Sequence, residues 1–109
     1  MFKLTSLNLN GIRSAVTKGV PAWLESHAPD CICVQEIKAQ HPDLAGRFEQ
    51  LAGLRGYFHL AEKKGYSGVG MLVRRGLGVQ PHRIPAEFDE ECRALAAELG
   101  PLDLFSVYV

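Results

Sequence analysis

CICVQ at residues 31–35 is a near-continuous apolar run, and the turn signal Pro29-Asp30 precedes it. A short apolar run between turn signals is typical of a strand that is covered on both faces of a sheet. Toward the N-terminus, Phe2 to Leu9 alternates apolar with polar or small side chains and predicts an earlier strand. Between the two strands, Pro21 suits the first turn of a helix that ends before Pro29-Asp30. These three segments predict a βαβ unit.

Apolar spacing predicts which helix residues face the sheet. In the first helix the expected buried stripe is Val20, Trp23 and Leu24. Pro42-Asp43 opens a second amphipathic stretch, in which apolar residues recur at helical spacing before Gly53 and Gly56 interrupt it. These apolar residues are Leu44, Phe48, Leu51 and Leu54. The stretch predicts a second covering helix.

The rest of the chain predicts strands and one further helix. Tyr57 to Ala61 and Gly68 to Val73 are typical of two strands, and the polar residues 62–67 between them predict a hairpin. Residues 89–100 have high helix propensity and end in glycine, so their local pattern predicts a helix. Leu102 to Val109 predicts a strand.

Composition and charge limit the kinds of function that the chain can have. The 12 basic and 12 acidic side chains cancel, so the chain lacks the overall positive field of a protein held to nucleic acid by charge alone. Any DNA contact is therefore expected to be local. Three cysteines without zinc-binding spacing fit a reducing compartment better than a disulfide framework. The sequence shows no signal peptide and no stretch of membrane-spanning length, so a cytoplasmic location is expected.

Four polar side chains are expected at one edge of the βαβ unit, because parallel strands end at the same edge of a sheet. They are Asn8, Asn10, Gln35 and Glu36. A carboxylate beside amide oxygens suits Mg²⁺, which takes oxygen ligands and keeps several waters for a substrate phosphate. Alternatively, Glu36 caps a strand and the asparagines form a turn, since Asn and Gly are ordinary turn residues. The spacing leaves both interpretations open.

Two further features have a functional and a plain interpretation. The glycine-rich stretch KGYSGVG at residues 64–70 offers backbone N–H groups to a phosphate, or is only a hairpin loop. It lacks the Walker lysine pattern of nucleotide-binding loops. Arg13, Lys18, Lys38 and Lys64 are candidate phosphate contacts, or solvated surface groups.

Three ordered motifs resemble those of the exonuclease III / AP endonuclease family, within the wider endonuclease/exonuclease/phosphatase superfamily. The first is LNLNGIR at residues 7–13, the second combines residues 28–30 with VQEIK at 34–38, and the third is GYSGVG at 65–70. Their order and spacing are similar to those of the family, and the resemblance extends over essentially the whole chain. The NGIR segment, residues 10–13, favours the DNA repair branch.

The resemblance implies a metal site built around Glu36. Glu36 is the implied Mg²⁺ ligand, with Mn²⁺ as a substitute ion, and Asn8 helps to hold the metal and its neighbours. Asn10 lies beside them, where many relatives have aspartate. Asn8, Glu36 and Lys38 are the implied catalytic residues, with Lys38 supporting the acidic cluster. In such an enzyme the metal stabilises charge on the phosphate and on the leaving oxygen, while a separate carboxylate prepares water for in-line attack.

The resemblance also implies the substrate and its contacts. Arg13, Lys18, Tyr66 and Ser67 sit where relatives touch the backbone of double-stranded DNA. The expected product is a nick 5′ to an abasic site, and 3′ ends are the expected substrate of an associated 3′-5′ exodeoxyribonuclease activity. The complete enzyme is expected to be monomeric and cytoplasmic, associated with the nucleoid.

The fold implied by the resemblance is α/β, half of a four-layer α/β sandwich in which a mixed β-sheet is covered by helices and the second half is missing. Residues 1–109 would then be the N-terminal part of a single domain. Each half is expected to supply one sheet, and an uncovered apolar face predicts association of the isolated chain. A monodisperse, cooperatively melting monomer in light scattering and calorimetry would contradict this. The resemblance further implies a strand over Cys92 to Leu99, against the helix predicted by the local pattern.

Three functions remain in competition. The leading hypothesis is a hydrolase of base excision repair, an AP endonuclease. This fragment is expected to be inactive, because the family's remaining catalytic residues would follow Val109. A second is a superfamily phosphoesterase that acts on a substrate other than DNA. A third is a non-catalytic remnant that binds DNA or a partner, which the neutral net charge weakens because non-specific DNA affinity comes mainly from phosphate neutralisation.

Overall fold

A computed structural model describes residues 2–44, 48–60, 68–77, 79–83, 94–99 and 102–107. Within these ranges the elements are, in chain order, β1 (Leu4–Asn8), α1 (Ile12–Thr17), α2 (Val20–His27), β2 (Cys31–Gln35), α3 (His41–Leu44), β3 (Gln50–Leu51), β4 (Leu54–His59), β5 (Val69–Arg74), β6 (Val79–Arg83), β7 (Ala94–Leu99) and β8 (Leu102–Val107). In the described part of the chain, no helix is long and apolar enough to cross a membrane.

The βαβ unit predicted from the first 35 residues is confirmed. β1 and β2 are parallel neighbours over their whole lengths, and α2 lies between them in the chain. Pro21 occupies the first turn of α2. The helix ends where Ala28 adopts a left-handed conformation and its N–H donates to the carbonyl of Leu24 at 2.8 Å. The six-residue α1 was not predicted, because it has neither an acidic first turn nor a side-chain cap to announce it.

The larger sheet has five strands in the order β1-β2-β5-β4-β3. β5 runs antiparallel to both of its neighbours, β2 and β4, so the sheet is mixed as expected. The predicted hairpin is confirmed as the pair β4 and β5. Its turn, residues 62–67, lies outside the described residues.

The second predicted helix is wrong beyond its first turn. α3 is one turn long, and Leu51 and Leu54 face each other in the antiparallel pair β3 and β4. A turn with positive φ at Ala52 (51°) and Gly53 (79°) joins these strands. The apolar spacing nevertheless identified core residues correctly. All four of them are buried: Leu44, Phe48, Leu51 and Leu54.

The predicted buried stripe of α2 needs one correction, at Trp23. Leu24 is 2 % exposed and Val20 packs against the core from its edge, but Trp23 is 42 % exposed. The Trp23 ring stacks on the His27 ring with centroids 4.7 Å apart. Neighbouring residues on a helix point in different directions, so only one of the adjacent pair Trp23 and Leu24 can face the sheet. α2 therefore docks through Leu24.

A second, smaller sheet contains β6, β7 and β8, all antiparallel. The strand implied by the family resemblance is confirmed as β7, and the helix predicted there from propensity is wrong. β8 confirms the strand predicted from Leu102, whereas β6 was not predicted. The expectation that this part of the chain supplies only one sheet is also wrong, because the described strands form two. The α/β class itself is confirmed.

The larger sheet is covered on both faces. On one face, Ile32 and Leu72 belong to the same buried cluster as Ile12 and Leu24 of the helices. On the other, Cys33 and four neighbours form a second cluster, against which Leu104 of β8 packs. The four neighbours are Cys31, Val69, Met71 and Val73. β2 is buried at every position because a layer lies on each side of it.

Apolar side chains are exposed on β8, the edge strand of the smaller sheet. Phe105 and Val107 alternate with the buried Ser106 and point away from the larger sheet. Phe105 is 60 % exposed. An exposed apolar strand at a sheet edge favours association. Oligomerisation of the isolated chain stays a prediction.

Asp30 ties the N-terminal segment to β5. Its carboxylate accepts the backbone N–H of Lys3 at 2.7 Å and Nε of Arg74 at 2.8 Å. The Lys3 N–H contributes most to lowering the pKa of Asp30, and the Arg74 guanidinium lowers the pKa further, while partial burial opposes both. The folded protein thus prefers charged Asp30.

Asp30→Asn is expected to remove a pH-dependent stabilisation. Because the folded pKa is depressed, this stabilisation is complete above the unfolded pKa of about 3.8 and is lost as the pH falls through the folded value. The difference in free energy of unfolding between the wild type and the variant should therefore shrink in acid. Urea unfolding at a series of pH values measures it, with Asp103→Asn as a control for the charge change. A difference that stays constant on acidification would contradict this role.

Candidate active site

Glu36 follows directly on β2, at the edge where β1 and β2 both end. Backbone hydrogen bonds join the two segments beyond the strands: Gly11 N–H donates to the Glu36 carbonyl at 2.8 Å and Ile12 N–H to the Ile37 carbonyl at 2.9 Å. This is the carboxyl edge of two parallel strands, where open α/β sheets bind ligands. The predicted placement of Glu36 beside Asn8 is confirmed.

Gly68 brings the third motif to the same edge. Ile37 N–H donates to the Gly68 carbonyl at 3.1 Å, and a Cβ added at Gly68 would lie 3.1 Å from the Cβ of Ile37. Its φ of +96° adds a second reason for glycine. The motif residues Tyr66 and Ser67, and the candidate Lys64, lie outside the described residues.

Unusual backbone conformations concentrate at this edge. Asn10, Glu36 and Lys38 have φ values of 48°, 52° and 52°. Outside it, the described residues hold only two other non-glycine residues with positive φ, Ala28 and Ala52. Such conformations cost free energy and persist where the surrounding structure fixes them, often at functional sites. The backbone strain at these three residues indicates that this edge is the candidate functional site.

A chain of polar contacts connects Asn8, Asn10, Glu36 and Lys38. Asn8 Nδ2 donates to Glu36 Oε2 in a short hydrogen bond, and Asn8 Oδ1 accepts the backbone N–H of Asn10 at 2.9 Å. Lys38 Nζ donates to Asn10 Oδ1 at 2.7 Å and lies 3.6 Å from Glu36 Oε1. Asn8 and Lys38 thus hold the Glu36 carboxylate from two sides.

The donor set is one carboxylate among amides. The Glu36 side chain is 21 % exposed, so it is screened on most sides yet open to a ligand. Among the described residues no three His, Cys, Asp or Glu side chains cluster as metal ligands. Asn8 Oδ1, Asn10 Oδ1 and Glu36 Oε2 each accept a hydrogen bond, and Glu36 carries the negative charge of the cluster, so Glu36 is its strongest candidate metal ligand.

Of the predicted DNA contacts, Arg13 adjoins the cluster. Arg13 Nη2 lies 3.4 Å from the Lys38 carbonyl, and its Nη1 lies 4.0 Å from Asp43 Oδ1. Asp43 also accepts the backbone N–H of Gln40 at 2.9 Å. Lys18 follows the C-terminus of α1, and no contact of its side chain with the cluster is seen in the described part of the chain.

Gln35 does not belong to the exposed cluster, contrary to the sequence-based expectation. It is 8 % exposed, and its Nε2 donates to Ser6 Oγ and to Ser106 Oγ, each at 3.3 Å. Ser106 Oγ in turn donates to the Val34 carbonyl at 3.1 Å. This buried network joins the smaller sheet to the strand that carries Glu36. Sequence reasoning missed Ser106, because 71 residues separate it from Gln35 and no local pattern connects them.

Comparison with known proteins agrees with this geometry. Residues 5–109 match the family described as Endonuclease/Exonuclease/phosphatase family. Among solved structures, an AP endonuclease from Leishmania major superposes with a TM-score of 0.75 at 30 % identity, over 99 % of this chain and 40 % of that one. An AP endonuclease from Archaeoglobus fulgidus gives a TM-score of 0.77 at 28 % identity, over 100 % of this chain and 41 % of that one.

Curated relatives show the same pattern. The DNA repair nuclease APEX1 of Danio rerio is 33 % identical over 98 % of this chain, which spans 36 % of that protein. An exodeoxyribonuclease of Bacillus subtilis is 31 % identical over 97 % of this chain, which spans 42 % of it. The chain therefore spans well under half of these relatives. The match over residues 5–109, together with the placement of Glu36, shows that the chain belongs to the endonuclease/exonuclease/phosphatase family.

Proposed function

We propose that the protein containing this chain is a Mg²⁺-dependent DNA repair nuclease that cleaves the phosphodiester 5′ to an abasic site and removes nucleotides from 3′ ends. The observation that carries this proposal is the Glu36 carboxylate, held between Asn8 and Lys38 at the carboxyl edge of two parallel strands. The similarity to named AP endonucleases and to an exodeoxyribonuclease supports the choice of substrate.

Glu36 is the proposed metal ligand. Mg²⁺ binds through one or two carboxylates and keeps several waters, so a single carboxylate beside amide oxygens fits it, and Mn²⁺ fits for the same reason. Bound there, the metal supplies positive charge that stabilises the phosphate and the leaving oxygen. Asn8 fixes the orientation of the carboxylate, and Asn10 keeps Lys38 beside it. Asn8 and Asn10 are the further proposed members of the metal site.

The proposed DNA contacts flank this cluster. Arg13 lies beside Lys38, where its guanidinium can pair with a backbone phosphate, and Lys18, Tyr66 and Ser67 are proposed to extend the contact. Equal numbers of acidic and basic side chains mean that binding depends on these local groups. We further propose that residues 1–109 are the N-terminal part of a single domain and that this chain alone does not nick DNA.

The experiment that tests the function uses the gene product isolated from its source and a duplex with one abasic site. We expect a nick 5′ to that site with Mg²⁺ and none with excess EDTA. An undamaged duplex and a generic phosphomonoester serve as controls. Hydrolysis of the phosphomonoester without nicking of the abasic duplex would contradict the proposal and favour a phosphoesterase with another substrate.

Asn10→Asp is expected to tighten binding of Mn²⁺ by about tenfold. The substitution adds a second carboxylate beside Glu36, and the affinity of oxygen sites for divalent cations rises with the number of charged ligands. Isothermal titration with Mn²⁺ measures the dissociation constant without reference to activity. Asn10→Ala is the matched control, because it removes the side-chain oxygen. An unchanged affinity in Asn10→Asp would place residue 10 outside the metal site.

A further inference from the structure

A cavity of about 520 Å³ opens along β4 and the C-terminal end of β5. The polar and charged residues that line it include Glu49, Gln50, Arg55, Tyr57, Arg74 and Arg75. Its volume is within the range of small-molecule binding sites. Three arginines, Arg55, Arg74 and Arg75, are among the lining residues.

Strand register shows that the cavity is separate from the candidate active site. On β5, Val69 pairs with Gln35, which precedes Glu36, whereas Val73 pairs with Cys31 at the far end of β2. Arg74 and Arg75 follow Val73. Four residues of strand correspond to about 13 Å at 3.3 Å per residue, so a phosphate held between Arg55 and Arg75 lies away from Glu36.

Two of these three arginines have no carboxylate partner among the described residues. Arg74 is paired with the Asp30 carboxylate at 2.8 Å. In the part of the chain that the structure describes, neither Arg55 nor Arg75 forms a salt bridge with a carboxylate. Glu49 is the single carboxylate among the described lining residues, so the cavity carries net positive charge.

Arg55 and Arg75 are also held in place. Arg75 Nη2 donates to Gln50 Oε1, and the Arg55 guanidinium carbon lies 5.4 Å from the centroid of the Tyr57 ring. Each contact orients a planar guanidinium group, and neither contact occupies all five of its N–H donors. Preorganised guanidinium forks match the oxygens of a phosphate group, with two parallel hydrogen bonds per fork.

We propose that this cavity binds a small phosphate-bearing ligand, a phosphomonoester, between Arg55 and Arg75. A phosphomonoester suits the site because its dianionic head matches two guanidinium groups and the open cavity has room for its remaining atoms. The proposal is independent of the proposed nuclease function, since it involves neither Glu36 nor a metal.

Equilibrium dialysis with radiolabelled inorganic phosphate tests it, in excess EDTA and at constant ionic strength. Dialysis tolerates association of the protein. We expect Arg55→Gln combined with Arg75→Gln to weaken phosphate binding by at least about tenfold, because both charged forks are lost. Lys3→Gln, which removes a positive charge from an exposed position outside the cavity lining, is the control and should bind as the wild type does. Equal binding in all three proteins would overturn the proposal.

Competition identifies the kind of ligand. Ribose 5-phosphate should displace the labelled phosphate, and chloride at equal ionic strength should not. Displacement by a short DNA duplex at lower phosphate concentration than by ribose 5-phosphate would overturn the assignment to a small ligand. If the double variant melts below the assay temperature, the single variants replace it, and each should weaken binding by about threefold. Unchanged binding in both single variants would also overturn the proposal.

Discussion

Glu36→Gln should lower Mg²⁺-dependent nicking of an abasic duplex by about 10³-fold in the complete gene product, which corresponds to roughly 4 kcal/mol of lost transition-state stabilisation. The substitution keeps the size of the side chain and leaves an oxygen that can still accept the Asn8 amide N–H. It removes the negative charge that would hold the metal. Duplex binding should change by less than about threefold, because the proposed phosphate contacts lie on other residues.

Single-turnover nicking and duplex affinity, measured on the same protein, separate these two effects. Glu25→Gln is the matched control, because it removes the same charge from an exposed position on α2. Nicking that is unchanged in Glu36→Gln would remove Glu36 from the site. A parallel loss of nicking and of DNA affinity would instead assign Glu36 to substrate binding.

Leu24→Ala should destabilise the fold by about 3 kcal/mol, a large part of the stability of a typical domain. Leu24 is 2 % exposed and is the one fully buried residue of α2, so its truncation leaves a cavity between the helix and the sheet. The melting temperature should fall by roughly 10 °C or more. Urea unfolding or calorimetry measures the change.

Trp23→Ala is the matched control for Leu24→Ala and also tests the corrected orientation of α2. Trp23 is larger than Leu24 but 42 % exposed, and its main contact is the stack on His27. We expect a loss of about 1 kcal/mol or less. A larger loss for Trp23→Ala than for Leu24→Ala would mean that the helix packs through the tryptophan, as the apolar pattern alone predicted.

Predictions from sequence succeeded best where the signal was local. The apolar run of β2 and the turn signals around it predicted a buried strand, and all five of its residues are buried. The position of Glu36 immediately after that run then followed from chain geometry, because parallel strands end at one edge. Asn8 lies at the end of β1, so the same reasoning placed it beside Glu36. The position of Lys38 beside Glu36 was expected only from the family resemblance.

Predictions from sequence failed where contacts between residues far apart in the chain determine the local structure. Gln35 was expected to face a ligand, but it turns inward because Ser106, far along the chain, lies above it. Leu51 and Leu54 have helical spacing, yet strand pairing across the turn at Gly53 places them in a hairpin. The arginine-lined cavity could not be predicted for the same reason, because its arginines come from β4 and from the end of β5, which are separate segments of the chain.

The sequence by itself determined the βαβ unit, the identity of most core residues, and the edge at which Glu36 lies, because periodicity and turn chemistry act over a few residues. The local pattern predicted a helix at residues 94–99, the family resemblance implied a strand, and the tertiary structure shows the strand in a second sheet that packs on the first. Helix propensity there amounts to a few tenths of a kcal/mol per residue. Pairing of β7 with β6 on one side and with β8 on the other outweighs that preference.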